Sequence, residues 1–193
     1  MKKRLILLSF VACAVFNVNA QKTKQDEGIK LGIKGGLNVT NLFGDVEDTE
    51  IRTSVNIGLL SEIIISDKFS LQPELLYSGQ GATYKGTDSG RIKLDYITLP
   101  VLAKFPLINK LSLTAGPQVG FLVSSKFKTN TSNDKIADTK PFDFSLNAGL
   151  EYQLKNGLFF QGRYNLGLTN VGYWGQNNRA NNSAIQFSVG VFF

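Results

Sequence analysis

From Pro141 to Asn170 the chain alternates apolar and polar residues with a period of two. Phe142, Phe144, Leu146, Ala148, Leu150, Tyr152 and Leu154 share one parity, separated by Asp143, Ser145, Asn147, Gly149, Glu151 and Gln153. After Lys155-Asn156-Gly157 the pattern resumes with Leu158, Phe160, Tyr164, Leu166 and Leu168, opposed by Gln161, Arg163, Asn165 and Thr169. Such a period marks two strands, each with one apolar and one polar face.

The turn between them sets their register. A two-residue Asn-Gly loop would put Gln161, Arg163 and Asn165 on the apolar face. A three-residue loop with Gly157 left-handed pairs Leu154 with Leu158 and Leu150 with Gly162, and keeps that face apolar throughout. Arg163 is then diagonal to Glu151, about 7–8 Å away between backbones, so an ion pair between them is expected. A tilted arm of this length rises about 30 Å, enough to cross an outer-membrane apolar band of about 25 Å.

The same reading extends along the chain. Ile29–Thr40 places Leu31, Ile33, Leu37 and Val39 opposite Lys30, Lys34, Asn38 and Thr40, with Gly32, Gly35 and Gly36 where a small barrel bends or interior side chains need room. Arg52–Ile65 turns Val55, Ile57, Leu59 and Ile63 away from Asn56 and Glu62. Phe69–Gly81 sets Phe69, Leu71, Leu75 and Tyr77 against Ser70, Gln72, Glu74 and Ser78, with Pro73 forfeiting a ladder bond. In the fourth strand Ile97, Leu99, Val101, Ala103 and Phe105 oppose Lys104, while Ile92, Leu94 and Tyr96 have the other parity. A bulge near Tyr96 that shifts the register is therefore expected. Leu111–Ser124 and Ala184–Phe193 complete the set, and short connections alternate with long ones: Asn41–Ile51, Ala82–Gly90, Ser125–Lys140 and Gly172–Ser183. The expectation is an all-β, eight-stranded antiparallel up-and-down transmembrane barrel over 29–193.

Composition narrows the chemistry. There is no histidine, hence no imidazole base and no Ser-His-Asp triad, and no catalytic, cofactor or metal residue is assigned. Residues 1–20 read as a signal peptide: Lys2, Lys3 and Arg4, an apolar run from Leu5 to Val15, and small residues at Val18-Asn19-Ala20. Phe10 is a poor start for a lipobox before Cys13, the lone cysteine. Residues 21–28 form a periplasmic lead-in. Removing the leader lowers the net charge from +6 to 18 − 15 = +3, so the high pI gives no argument for nucleic acid. The acidic residues Asp45, Glu47, Asp48 and Glu50 lack calcium-loop spacing and read as a solvated outer loop.

A soluble barrel with its apolar side inward and a membrane barrel with it outward both fit eight strands. The polar parity collects Lys34, Glu62, Glu74, Lys104, Glu151 and Arg163, three acids and three bases. A narrow lumen demands such neutrality, because unpaired buried charge is costly. Phe69, Tyr77, Phe105, Tyr152, Phe160 and Phe193 fall at or near strand ends on the apolar face, as interfacial girdles do. The terminal Phe193 matches the aromatic signal read by the bacterial barrel-assembly machinery.

The segments GIKGGLN (32–38), SDKFSLQPELLYSGQGA (66–82), YITLPVLAKF (96–105), AGPQVGFLVSSK (115–126), AGLEYQL (148–154) and RYNLGLTN (163–170) resemble the PorT-like small outer-membrane barrels of Bacteroidota. The resemblance implies the barrel, the outer membrane and no catalytic motif; the member that names the family serves type IX secretion. Three roles follow as expectations. The first is a non-enzymatic structural or partner-binding barrel with a charge-plugged interior, in contact with outer-membrane lipid and lipopolysaccharide and with a secretion or envelope protein. The others are a type IX secretion accessory and a small-conductance channel. Asp45, Glu47, Asp48, Glu50, Lys126, Lys128 and Trp174 are the expected outer-loop contacts.

Overall fold

The computed structural model describes residues 28–45, 49–85, 90–129, 133–135, 139–170 and 179–193. The expected signal peptide with Cys13, the lead-in up to residue 27, and the loop residues Glu47, Asp48 and Trp174 lie outside them.

Eight long strands alternate in direction: β1 (Ile29–Gly44), β3 (Arg52–Ser66), β4 (Phe69–Tyr84), β5 (Gly90–Ile108), β6 (Leu111–Lys128), β8 (Phe142–Gln153), β9 (Leu158–Gly167) and β10 (Ala180–Phe192). Two short pieces, β2 (Thr49–Glu50) and β7 (Asn133–Lys135), add to the edges of β4 and β6. Each long strand pairs with its sequence neighbour, and β1 pairs with β10, so the sheet closes without an edge. The closing hairpin has the expected register: Leu150 faces Gly162, the Leu154 amide donates to the Leu158 carbonyl at 2.7 Å, and Gly157 has φ +84°.

Across the middle of the barrel the faces fall as the alternation predicts. Ile33, Leu37, Val55, Ile57, Leu99, Val101, Phe144, Phe160, Phe187 and Val189 are exposed on the outside, while Lys34, Asn38, Asn56, Glu74, Gln118, Asn147 and Arg163 are buried inside. Around the short-turn rim Phe69 and Phe105 meet at a tilt with centroids 5.3 Å apart, and toward the long-loop end Phe121 and Phe142 meet edge to face at 5.3 Å. Tyr77 is not at a strand end. It stands mid-strand because β4 continues to Tyr84, and its hydroxyl bonds Asp95.

The strands outrun their expected limits at the long-loop end, and there the sense of the alternation inverts. On β5, Ile92, Leu94 and Tyr96 are buried inside while Arg91, Lys93 and Asp95 face out. Leu42, Ala82 and Ala180 are likewise buried there and pack with Ile92, Leu94 and Tyr96. The expected register shift does fall at Tyr96, between it and Asp95, but β5's own alternation runs unbroken through it. The extra residue lies on β6, where Asp95 pairs with Ser124 but Tyr96 pairs with Leu122, leaving Val123 as the bulge. The physical reason is a change of surroundings. Below Ile97 the outside is apolar and above it is wet, so the apolar residues change sides.

Glycine marks where β1 closes on β10. A Cβ on Gly36 would overlap the Phe187 carbonyl and the Ser188 Cα, whereas one on Gly35 would meet nothing nearer than 3.6 Å. Gly36→Ala is expected to cost about 2 kcal/mol or more through overpacking, and Gly35→Ala to be near neutral. Urea titration of the refolded barrel, read by its heat-modifiable gel mobility, checks the contrast.

Candidate functional site

Six inward-facing charges, drawn from six strands, form one connected network. Lys34 on β1 donates to Glu74 on β4 at 2.7 Å and to Gln161 on β9 at 2.8 Å. Arg163 on β9 reaches the same Glu74 oxygen at 2.8 Å, and its Nε donates to Gln186 on β10. On β8, Glu151 accepts from Lys104 at 2.5 Å, from Gln161 at 3.1 Å and from Gln72 at 3.3 Å. Gln72 also donates to Glu74, which ties the two carboxylates together at 3.0 Å and 3.3 Å. Lys104 is 3.0 Å from Glu62, and Glu62 is 3.7 Å from the half-exposed Lys30 at the short-turn end.

The expected Glu151–Arg163 pair is therefore corrected. The two are diagonal neighbours in register, with Arg163 opposite Gly149 and Glu151 opposite Gln161. Each nevertheless reaches past its neighbouring strand, Arg163 across the lumen to Glu74 on β4 and Glu151 over β6 to Lys104 on β5. In a barrel this narrow the opposite wall is as near as the next-but-one residue on the neighbouring strand.

Gln186 carries the network upward to an amide layer. It donates to Asn38 at 3.0 Å, Asn56 donates to Asn38 at 2.6 Å, and Asn38 donates to Ser78 at 3.0 Å. A second polar group joins Gln118, Ser145, Asn147 and Asn165. Higher still, β3 and β4 part beyond Asn56 and Ser78. Side chains take over from the ladder there: Asn38 and Ser54 donate to the Gly79 carbonyl, Thr40 to Gly81 and Arg52 to Gln80.

Apolar groups stand at both ends of the polar column. Leu60, Phe159 and Phe192 cluster toward the short-turn end, with the two rings 4.9 Å apart and Lys104 over Phe192 at 5.4 Å. The group of Leu42, Ala82, Ile92, Leu94, Tyr96 and Ala180, backed by Tyr84, Leu122 and Phe127, fills the long-loop end. The charged side chains between are dry: Lys34 and Glu74 are 0% exposed. These end groups were missed because an inward apolar residue reads, under a fixed assignment of faces, as a slipped strand.

The remaining assigned residues scatter. Asp45 accepts the Arg179 amide, and Glu50 lies in β2 and pairs with Lys85 at 2.5 Å. Lys126 and Lys128 are not in a loop; both are outward residues of β6, paired with β5 and β7. Phe193 is 77% exposed, its amide donating to Leu31. Among the described residues no group of His, Cys, Asp or Glu could hold a metal ion.

A closed barrel with a salt-bridged lumen and an apolar outer belt points to a membrane protein. Residues 19–172 match the family model of the outer membrane protein beta-barrel domain. The chain belongs to that family. It is an outer-membrane protein, and its apolar belt lies in the bilayer. The Neisserial surface protein A structure is similar in fold at 10% identity and TM-score 0.60, covering 86% of this chain and 100% of that chain. Ail, the attachment invasion locus protein of Yersinia pestis, is similar at 12% identity and TM-score 0.54, covering 86% and 99%. No curated protein matches the outer-membrane chain.

Removing one member of a buried charge pair costs about 3–5 kcal/mol. Glu74→Gln, which strands Lys34 and Arg163 together, is expected to lose that much, and Glu62→Gln, at the rim of the network, clearly less. In double-mutant cycles on urea unfolding, Glu151 should couple more strongly to Lys104 than to Arg163.

Proposed function

We propose that this outer-membrane barrel is a non-enzymatic, non-conducting element of the envelope whose long-loop end meets a protein partner. The observation that carries the reading is the dryness of the lumen. A water-filled path would leave its lining open to solvent, yet Lys34, Glu74 and Arg163 are 4% exposed or less. The ionic network ties six inward charges together structurally, and a further inward carboxylate, Asp143, is held by Thr169 and Asn182. The chain also has no histidine for the nucleophile or base of a hydrolase. Phe193, exposed at the end of the closing strand, is the residue we assign to recognition by the assembly machinery.

The sharper version is an accessory of type IX secretion, favoured by the PorT-like segments from Gly32 to Asn170. It predicts that deletion lowers secreted cargo while the envelope stays intact.

In planar bilayers the refolded protein is expected to give no stable openings on the nanosiemens scale. Such openings in wild type would overturn the reading. Tyr96→Ala combined with Phe159→Ala, which thins both end groups, should be the first variant to leak.

A further inference from the structure

The outward face of β5 and β6 carries a ladder of like charges just above the apolar belt. Arg91 is the register partner of Lys128, Lys93 is the partner of Lys126, and Lys126 is in turn the partner of Lys135 on β7. Arg91, Lys126 and Lys128 are exposed and Lys93 half-buried. Like charges directly opposite one another destabilise a sheet. Among the described residues no ion pair reaches any of the four on β5 and β6. Among the described residues, Lys128, Arg52 and Arg91 act on Lys93 as like charges and Asp95 is the acid acting against them. Among the described side chains none forms an ion pair with this ladder, an arrangement that an external anion would relieve.

Its height names that anion. On β5 the outward residues Phe105, Ala103, Val101, Leu99 and Ile97 carry the apolar belt over about 20 Å. Immediately above Ile97 the alternation inverts, which marks where hydrocarbon ends. Lys93 lies about 10 Å higher than Ile97 on a strand tilted by about 40°. Its partner Lys126 stands beside it, with Arg91 and Lys128 one rung beyond. Near the long-loop end of β1 and β10 the outward rungs are uncharged, Asn41 with Ser183 and Phe43 with Asn181, and just beyond them Arg179 stands beside Asp45. Because long loops face outward in such barrels, the cations of β5 and β6 sit in the headgroup layer of the outer leaflet.

We propose that Arg91, Lys93, Lys126 and Lys128 bind the phosphates of an outer-leaflet glycolipid of the lipid A type. The acyl chains then lie against Ile97, Leu99, Val119 and Phe121 below, which continue the same outward face. Phosphate fits because two such groups on one rigid sugar backbone can bridge two rungs, whereas a zwitterionic headgroup brings its own cation. The site fixes which sector of the barrel meets the lipid, so it is a binding activity beyond the partner role proposed above. It stands or falls independently of conductance.

The test uses full-length refolded protein in three vesicle types: phosphatidylcholine alone, with bis-phosphorylated lipid A, and with the same lipid A stripped of phosphate. The readout is the midpoint of the heat-modifiable gel shift. Wild type is expected to gain on the order of 5 °C in the phosphorylated lipid over the stripped one. The variant R91Q/K93Q/K126Q/K128Q should lose that gain while matching or exceeding wild type in phosphatidylcholine, since its repulsion is gone. Should the quadruple variant fail to refold, K126Q alone is expected to lose part of the gain. An equal gain in wild type and variant would overturn the proposal. So would an equal midpoint in phosphorylated and stripped lipid A.

Discussion

A charge inside an eight-stranded barrel has no bulk water to turn to, so it is neutralised by a partner on another strand or, as at Asp143, held by neutral hydrogen-bond donors. That constraint organises this molecule. Glu74 holds Lys34 and Arg163, Glu151 and Glu62 share Lys104, and Gln72 and Gln161 add hydrogen bonds to the Glu74 and Glu151 carboxylates. Because the partners come from β1, β3, β4, β5, β8 and β9, the network also clamps strands that are not neighbours in the sheet. The outer belt can then be uniformly apolar, since no polar group needs to reach outward for a partner.

The second constraint acts along the axis. Where lipid surrounds the barrel, the strands are apolar outside and polar inside; where water surrounds it, they are the reverse. β5 displays both regimes within one unbroken strand, with Tyr96 inward and Ile97 outward at the change. The upper part is thus built like a small soluble barrel, with Leu42, Ile92, Leu94 and Tyr96 as its core, standing on a membrane-embedded one. The same transition leaves the lysines of β5 and β6 at the level of lipid headgroups.

Much of this was legible from period alone. The Leu154–Leu158 hairpin and the inward side of Lys34, Glu62, Glu74, Lys104, Glu151 and Arg163 follow from counting parity, because a strand offers only two faces. Which charge meets which was not legible. Those pairings depend on strand tilt and on side chains crossing the lumen, and neither is written in local spacing. The strand ends were misplaced for a different reason. Treating apolar as outward everywhere turned the upper part of β6 with Lys126 and Lys128 into loop, and turned Ile92, Leu94 and Tyr96 into a slipped register. Reading the inversion as a boundary between solvents would have recovered both.

The central claim is that one face of these strands touches hydrocarbon while the other is sealed and dry. Nuclear magnetic resonance of the refolded protein in lipid nanodiscs tests it most directly. Methyl groups of Leu37, Ile57, Leu99 and Val189 should show cross-relaxation to lipid acyl protons, and the side-chain protons of Lys34 and Arg163 should exchange slowly with water. Outward methyls in contact with water, together with rapid exchange at Lys34 and Arg163, would contradict the account.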